Sequence, residues 1–495
     1  MTYLNIIKKD ILKVFQNRSD SANQLIKKAW EFAEEAHGTQ RRLSGEPYLC
    51  HPAIVAYHLA EVGMDKSTVA AGLLHDTLED TETTYQELKE TFGKEVADLV
   101  KGVTRIGGLK YDKKRQQAGD LRNLFVAAAQ DIRVIIIKLF DRLHNLETLE
   151  YHNRARQKRK AIESLEIYAP IAYRLGMSFL RIKIEDLAFS NLYPNKYKKV
   201  AEFREKRSKE IEEGVTGVFN SIKKELKQNK INFRAEIRKK GVYDLFKKIK
   251  RAEGKNLKFI YDITPIRIVV KDVPSCYQTM GIVHTKFYPF PSKIKDFISS
   301  PKPSGYQAIH TSVFTGKGEV VEIQIMTEDM DSYTRIGVAC NLVSRDNDST
   351  FFSFFKQINR SSDKKNSQEF GGTPDWFRDM VNNQKEMKNT DEFFSNLNKD
   401  FFSYRIIVFT PKGDVVNLPN DSSPIDFAYY IHSDLGNHIK AVEIDGQKAS
   451  LSTKLENGNI VNIITSPSVR PSSEWLNYVK TITAKKEIKH FLRKN

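Results

Sequence analysis

Two histidines and two aspartates in the N-terminal third of the chain have the side chains that bind a divalent metal ion. His75 and Asp76 are adjacent at the end of an apolar helical segment, His51 precedes them, and Asp141 follows. Two imidazoles and two carboxylates form a mixed nitrogen and oxygen set that suits Mn²⁺, Fe²⁺ or Zn²⁺. A lone His-Asp pair is usually an accident of a helix surface, but four such residues on successive helices predict a metal site.

Two further carboxylates follow the His-Asp pair. Glu79 comes four residues after His75, which places both side chains on one helix face, and Asp80 is its neighbour. A metal ion lowers the pKa of a bound water and stabilises developing negative charge. We therefore expect Glu79 and Asp80 to hold or deprotonate the attacking water of a hydrolytic reaction.

A second group of candidate residues combines cations with carboxylates. Arg238, Lys240 and Lys248 come shortly before a predicted strand and form either a phosphate-binding cluster or a solvated face. Asp262 enters that strand, and Glu322 lies on a later one. Carboxylates on neighbouring strands can hold the Mg²⁺ of a bound triphosphate.

Nearby residues can complete a nucleotide pocket around these carboxylates. Tyr306 offers an aromatic face on which a purine can stack, although a tyrosine is more often part of a core. Lys293, Lys295 and Lys302 belong to a basic loop that can neutralise phosphate groups.

The elements that must position these residues follow from the hydrophobic pattern. Apolar residues recur at helical spacing before residue 190, for example at 68–74 and 85–100. Runs of β-branched residues predict strands at 266–270, 310–314 and 320–325. Five regions are predicted: a helical domain at 1–190, an α+β domain at 195–345, a linker at 346–400, a β-rich unit at 401–467 and a basic helical tail at 468–495.

Composition restricts the location and the partners. The chain has 495 residues, 79 of them basic and 62 acidic, and a net charge of +17. This excess favours polyphosphates, nucleic acid or an acidic surface as partners, unless it serves only solubility. The three cysteines form no CxxC pair, and no apolar run reaches the roughly 18–20 residues that span a bilayer. We expect a cytoplasmic protein with no membrane partner, and an oligomer is compatible with the sequence.

The motifs around these residues resemble those of the RelA/SpoT homologue family, the bifunctional synthetases and hydrolases of guanosine tetra- and pentaphosphate. The resemblance covers essentially the whole chain. It implies a multidomain α+β protein with an all-helical HD-type hydrolase domain, a nucleotidyltransferase-like α+β synthetase domain and a small β-grasp TGS domain. The matching segments include RLSGEPY at 42–48, GLLHDTLEDT at 72–81, DRLHN at 141–145 and IYAP at 167–170.

The resemblance also implies a role for each candidate of the helical domain. The residues that match the family's Mn²⁺ ligands are His51, His75, Asp76 and Asp141, and those that match its catalytic acids are Glu79 and Asp80. The residues that match its guanosine nucleotide pocket are Arg42, Ser44, Asn145 and Thr148. Leu43 replaces a Lys that is usual in the family, which weakens one nucleotide contact.

For the second domain, the resemblance implies transfer of pyrophosphate from ATP to the 3′-hydroxyl of GDP or GTP. Asp262 matches the Mg²⁺ ligand, and Glu322 matches the residue that helps to activate the hydroxyl. Met326 replaces a usual Arg and Asn341 a usual His, which leaves the synthetic activity open. Nucleotide contacts are expected from Arg238, Lys240, Lys248, Lys293, Lys295, Lys302, Tyr306, His310 and Gln324.

The region after residue 404 resembles a TGS domain, which in long family members meets the acceptor end of uncharged tRNA on the ribosome. His432 matches the residue that touches the tRNA, although a His at a helix end is also an ordinary capping residue. The usual later modules of the family, a Cys-rich one among them, are not matched by the sequence up to Asn495. Control by the ribosome is therefore left open.

Four interpretations of function remain. The first is a bifunctional enzyme whose two sites are switched reciprocally through the helices around 168–193. The second is a hydrolase with a degenerate synthetase that senses nucleotides, which Met326 and Asn341 favour. The third is a tRNA- or ribosome-binding protein with vestigial sites, which the intact metal set disfavours. The fourth is an HD phosphohydrolase of other nucleotides, which does not account for the other two domains.

Overall fold

The computed structural model describes residues 3–15, 20–104, 124–251, 263–302, 304–316, 319–340, 405–456 and 458–494. Within these ranges the chain forms two compact units, one before residue 341 and one after residue 404. The predicted linker at 346–400 lies outside the described residues, as do Asp262 and Asn341. None of the helices in the described ranges is both long and apolar enough to cross a membrane.

The first part of the first unit is helical, as the hydrophobic spacing predicts. Segment 85–100 forms two helices rather than one, because Gly93 takes a φ of 86° and ends the earlier helix. A π-helical turn at Ser164–Tyr168 connects two later helices of this part. The helices are α1 (Tyr3–Phe15), α2 (Asp20–His37), α3 (Cys50–Glu61), α4 (Lys66–Leu74), α5 (Thr77–Asp80), α6 (Tyr85–Phe92), α7 (Lys94–Val103), α8 (124–130), α9 (Arg133–Glu147), α10 (Arg154–Glu163), α11 (Ala169–Arg174) and α12 (Ser178–Leu192).

The second part of this unit is a sheet covered by helices. Its elements are α13 (Pro194–Gln228), β1 (Phe233–Ile237), α14 (Val242–Arg251), β2 (Ile266–Val270), α15 (Val273–Lys286), β3 (Lys295–Asp296), β4 (Ile309–Phe314), β5 (Val320–Thr327) and α16 (Glu328–Ile336). The strand order is β1-β2-β5-β4-β3, and β2 and β5 are parallel while the other pairs are antiparallel. All residues of β2 are buried, as expected of a central strand. The three predicted strands are confirmed as parts of β2, β4 and β5.

The helical part and the sheet part contact each other through α12 and the turn before it. The guanidinium of Arg181 on α12 donates to Asp244 of α14 at 2.9 Å. The backbone N–H of Val338 donates to the carbonyl of Leu175 at 2.9 Å. Gly337 has a φ of +57°, and a Cβ there would lie 1.9 Å from the Leu175 carbonyl oxygen. Only glycine fits this contact.

The second unit contains two small antiparallel sheets. Its elements are β6 (Arg405–Phe409), β7 (Val415–Pro419), α17 (Pro424–Ile431), α18 (Ser433–Asn437), β8 (Ile439–Ile444), β9 (Gln447–Ala449), β10 (Val461–Thr465) and α19 (Ile482–Lys494). Strand β6 pairs with β7, and β8 pairs with both β9 and β10.

The predicted basic tail folds onto this β-rich core instead of standing apart from it. Its helix, α19, begins only at Ile482, and Trp475 and Ile488 are buried in one apolar cluster with Ile425 of α17. The buried carboxylate of Asp426 accepts hydrogen bonds from the backbone N–H groups of Lys480 at 3.0 Å and Thr481 at 2.7 Å. Residues on both sides of position 467 therefore share one core.

Candidate functional site

The packing of α3 against α4 brings two of the candidate histidines together. Asp65 caps the N-terminus of α4 by accepting a hydrogen bond from the Thr68 N–H at 3.0 Å. A Cβ at position 72 would lie 2.5 Å from Cδ1 of Leu59, so glycine is what allows the two helices to approach closely. His51 at the start of α3 therefore lies beside His75, which directly follows α4.

The predicted metal ligands form one buried cluster. Ligand atoms of His51, His75 and Asp141 lie within 4.8 Å of one another. The Nε2 atom of His51 lies 3.2 Å from Oδ1 of Asp141, and the Nε2 atom of His75 lies 3.2 Å from Oδ1 of Asp76. The structure thus brings together all four residues that the sequence singles out.

The hydrogen bonds of this cluster indicate which of its atoms can bind a metal ion. His75 Nδ1 lies 2.8 Å from the Gly72 carbonyl, which can only accept, so Nδ1 carries a proton and Nε2 is the nitrogen left to bind a metal ion. That Nε2 atom lies 3.2 Å from His51 Nε2 and 3.2 Å from Oδ1 of Asp76. These converging nitrogen and oxygen atoms can share one cation, and the donor set fits Mn²⁺, Fe²⁺ or Zn²⁺.

The carboxylates of the cluster are held in their charged form. Burial raises the pKa of Asp141, but the Lys138 ammonium, 2.8 Å from Oδ2, and the two imidazoles lower it well below its usual value. Burial likewise raises the pKa of Asp76, and the charges of His75 and His51 lower it. Lys138 was not predicted from the sequence; its spacing of three residues from Asp141 on α9 was the available signal.

Glu79 and Asp80 lie at the rim of the cluster, but not for the reason inferred from their spacing. Helix α4 ends at Leu74, and the two acids belong to the separate turn α5, so His75 and Glu79 do not share one continuous helix face. Both acids are exposed. The Tyr48 hydroxyl donates to Asp80 Oδ2 at 2.5 Å and lies 3.2 Å from Asp76 Oδ2. Tyr48 therefore connects an acid to a metal ligand, a link that its place in the RLSGEPY motif did not reveal.

Three of the four predicted nucleotide residues of this domain form hydrogen bonds within or next to the cluster. Arg42 donates to His144 Nδ1 at 3.2 Å and to Asn145 Oδ1 at 3.4 Å, and the Asn145 amide donates to Asp141. The Thr148 hydroxyl, at the end of α9, donates to the His144 carbonyl at 3.1 Å. The buried Ser44 hydroxyl has no partner among the described residues, which leaves it available to a ligand.

The second predicted group lines a pocket of about 1000 Å³ beside the sheet. Twelve cationic side chains and three carboxylates face this pocket, so it favours a polyanion. Arg181 and Lys183 of α12 and Arg267 and Arg335 of the sheet part are lining residues that the sequence did not reveal. The predicted residues that line it are Arg238, Lys240, Lys248, Lys293, Lys295, Lys302, Tyr306, His310, Glu322 and Gln324.

Glu322 is the centre of a hydrogen-bond chain in this pocket. His310 Nδ1 donates to Glu322 Oε1 at 2.8 Å, and the Tyr306 hydroxyl donates to His310 Nε2 at 2.8 Å. The register of β4 against β5, which pairs His310 with Gln324, produces this arrangement. Burial raises the pKa of Glu322, but the hydrogen bond from His310 lowers it below its usual value. The Tyr306 ring is thus fixed by its own hydroxyl.

Two lysines of the pocket have lowered pKa values. Burial and the neighbouring Lys240 lower the pKa of Lys248 to about 7. Burial lowers the pKa of Lys302 to about 8, against the opposing effect of Glu322. An anionic ligand would restore their charge.

Three predicted positions lie outside this pocket or outside the described residues. Met326 is fully buried and does not line the pocket. His432 caps α18, accepting the Asp434 N–H on Nδ1 at 3.2 Å, and its ring is otherwise exposed. The capping role is what the contacts show. Asp262, the predicted Mg²⁺ ligand, is not described.

Three family models match the chain along its length. The model for the HD domain matches residues 29–178. The model described as a region found in RelA / SpoT proteins matches residues 237–348. The model for the TGS domain matches residues 406–465.

Curated relatives match nearly all of the chain. It is 42% identical to a guanosine-3′,5′-bis(diphosphate) 3′-pyrophosphohydrolase of Aquifex aeolicus, over 99% of this chain and 67% of the relative. It is 38% identical to a GTP pyrophosphokinase of Myxococcus xanthus, over 97% of this chain and 62% of the relative. It is also 38% identical to the bifunctional (p)ppGpp synthase/hydrolase SpoT of Escherichia coli, over 94% of this chain and 64% of the relative. The chain thus spans about two thirds of the length of these relatives.

Proposed function

The chain belongs to the RelA/SpoT family, and from this premise we propose that its helical domain is a Mn²⁺-dependent 3′-pyrophosphohydrolase of guanosine tetra- and pentaphosphate. The observation that carries the proposal is the convergence of ligand atoms from His51, His75 and Asp141 within 4.8 Å. The unpartnered Ser44 hydroxyl and the Arg42 guanidinium beside this cluster support a nucleotide as the ligand.

The proposed reaction breaks the bond between the ribose 3′-oxygen and the nearer phosphorus of the pyrophosphate group. Water forms the new bond to that phosphorus and gives a proton to Glu79 or Asp80. The same acid pair returns a proton to the departing 3′-oxygen, so the products are GDP or GTP and pyrophosphate. When bound by the four ligands, Mn²⁺ supplies the Lewis acidity that lowers the pKa of a coordinated water. Tyr48 holds Asp80 in place at 2.5 Å.

For the sheet part, we propose transfer of pyrophosphate from ATP to the 3′-hydroxyl of GDP or GTP. The hydroxyl oxygen attacks the β-phosphorus of ATP, its proton passes to Glu322, and AMP leaves. The excess of cations in the pocket and the His310 bond that keeps Glu322 ionised support this assignment. The Mg²⁺ would bind at Asp262, as the family resemblance implies.

The first experiment measures hydrolysis alone. Purified protein is incubated with guanosine tetraphosphate and Mn²⁺, and the nucleotides are separated by chromatography. We expect GDP and pyrophosphate from the wild type and from Glu322→Gln, and neither from Asp76→Ala. Turnover by Asp76→Ala, or none by a wild type that binds Mn²⁺, would contradict the proposal.

The second experiment decides between a working synthetase and a degenerate, regulatory one. An Asp76→Ala background prevents the product from being hydrolysed, and the protein is supplied with ATP, GDP and Mg²⁺. The cations that line the pocket together with Glu322 and Gln324 support a working site. Formation of AMP and guanosine tetraphosphate, abolished by Glu322→Gln, is expected. Binding without turnover would favour the sensor.

The proposal extends to location and partners. We expect a cytoplasmic enzyme, since its three cysteines are free and buried among the described residues. Uncharged tRNA and the ribosome are the proposed partners of the second unit, supported by the TGS match and by the exposed His432 ring. A tRNA-binding assay in which His432→Ala weakens the affinity would test this.

A further inference from the structure

His144 is a buried histidine beside the metal cluster that none of the roles above uses. It is 3% exposed and belongs to α9, three residues after Asp141. Its Nδ1 atom lies 2.7 Å from Nδ1 of His51 and 3.2 Å from a terminal nitrogen of Arg42. One ring nitrogen therefore connects a candidate metal ligand to a candidate nucleotide residue.

The contact with Arg42 determines where the protons lie. A guanidinium has donors and no acceptor, so His144 Nδ1 must present a lone pair. The same lone pair faces His51 Nδ1 at 2.7 Å, so His51 is the donor of that bond and its proton lies on Nδ1. The neutral His51 ring then carries a lone pair on Nε2. That atom faces Asp141 Oδ1 at 3.2 Å and Asp76 Oδ2 at 3.5 Å.

We propose that His144 is a positioning residue for the metal site: it accepts the Nδ1 proton of His51 and so fixes the tautomer and the ring orientation in which Nε2 can bind a metal ion. Metal-binding histidines usually donate their second N–H to such an acceptor, and losing the acceptor typically costs metal affinity. His144 accepts from Arg42 at the same atom, so one ring also holds a nucleotide residue against the site. The inference rests on the proposed metal-dependent function.

The chain supplies a matched control for the test. His58 lies on α3, two turns after His51, where it pairs with Glu61 at 3.4 Å and stacks on Phe140. It belongs to the same helical domain and forms no hydrogen bond with the ligand cluster in the described structure, and its charge is a minor cause of the lowered pKa of His144. A substitution there reports the general effect of removing an imidazole from this domain.

The test measures Mn²⁺ binding by calorimetry on the full chain, with no nucleotide present. His144→Phe keeps a ring and removes the acceptor, and we expect it to weaken the Mn²⁺ affinity by about 10- to 100-fold. His144→Gln restores an acceptor oxygen and should recover most of the loss. His58→Phe should bind as the wild type does. Thermal unfolding in EDTA checks that each variant folds, and His144→Leu replaces His144→Phe if the latter does not.

The outcomes separate the inference from the function on which it rests. Wild-type affinity in His144→Phe would overturn the inference while leaving the metal site intact. Equal losses in the Phe and Gln variants would also overturn it, because the ring would then act by packing alone. Failure of the wild type itself to bind Mn²⁺ would overturn the proposed hydrolase, and the inference with it.

Discussion

Lys138 and Asp141 form a buried ion pair directly behind the proposed metal site. Their charged atoms lie 2.8 Å apart, and both side chains are under one-tenth exposed. Removing one partner of such a pair leaves an uncompensated charge, which costs more than the pair itself contributes. Substituting either residue of the pair should therefore lower the folding stability and weaken metal binding.

We expect Lys138→Met to destabilise the metal-free protein by about 3 kcal/mol in urea unfolding. Adding Asp141→Asn to this variant should recover part of the loss, because the unpaired charge is then gone. The folded pKa of Asp141 is lowered, so its contribution to stability is present above the unfolded value of about 3.9 and is lost as the pH falls through the folded pKa. Without Lys138 that pKa rises, and acid unfolding should begin at a higher pH. An unchanged acid transition would contradict the assignment.

The Tyr48 hydroxyl can be removed without removing the packing of the ring. Its ring stacks on His37 with centroids 4.6 Å apart, and Tyr48→Phe keeps that contact. The lost hydrogen bond goes to a carboxylate, and such bonds contribute about 1.5–3 kcal/mol, so we expect kcat for hydrolysis to fall about tenfold or more with little change in KM. Tyr85→Phe, which removes a similar 2.7 Å bond to Asp98 elsewhere in the domain, is the control and should leave kcat unchanged.

Lys248 provides a test of the sheet pocket that needs no turnover. Its pKa of about 7 means that the amine is largely neutral at pH 8 in the free protein. Bound phosphate favours the charged form, so ATP binding at pH 8 should take up protons and weaken as the pH rises. Calorimetry in buffers of different ionisation enthalpy measures this uptake. Lys248→Arg, which is always charged, should reduce it, and equal uptake in both proteins would exclude Lys248 as the source.

At the scale of elements, the contact between Gly337 and the Leu175 carbonyl is the least tolerant position described. Gly337→Ala adds a Cβ 1.9 Å from that oxygen in a backbone conformation that other residues avoid, so we expect a loss of about 3 kcal/mol in unfolding free energy. Gly217→Ala is the matched control. It lies in α13 with nothing within 4 Å of its Cβ position and should stabilise by about 0.5–1 kcal/mol. Similar effects at both sites would refute the contact.

Elements were more predictable than the contacts between them. The strands at 266–270 and 320–325 follow from β-branched runs, and α4 follows from its apolar spacing. The apolar spacing correctly ends this helix at Leu74, but the inference that His75 and Glu79 share one helix face assumed that the helix continued, and the separate turn α5 was not predicted. Tyr48 and His144 were missed for another reason: each contacts a residue of another segment, and single-sequence periodicity carries no such information. Lys138 pairs with Asp141 on the same helix, so its spacing was a signal that the sequence analysis did not use.

At the scale of the molecule, the two proposed sites share one compact unit, joined by the Arg181–Asp244 pair and the Leu175 turn. This supports the reciprocal switch inferred from the sequence. We expect a non-hydrolysable ATP analogue to change the Mn²⁺ affinity of the helical domain, and Mn²⁺ to change the affinity for the analogue by the same factor. Arg181→Ala should reduce both effects together. Affinities that are independent of each other would rule the switch out.

The size of the sheet pocket has a consequence for the order of events in synthesis. At about 1000 Å³ it is at the upper end of the range of ligand pockets, roughly 300–1,000 Å³. Donor and acceptor nucleotides can then be present together, and the pyrophosphoryl group can pass directly between them without a covalent enzyme intermediate. Double-reciprocal plots for the two substrates would intersect rather than run parallel, and isotope exchange between ATP and AMP would require the acceptor.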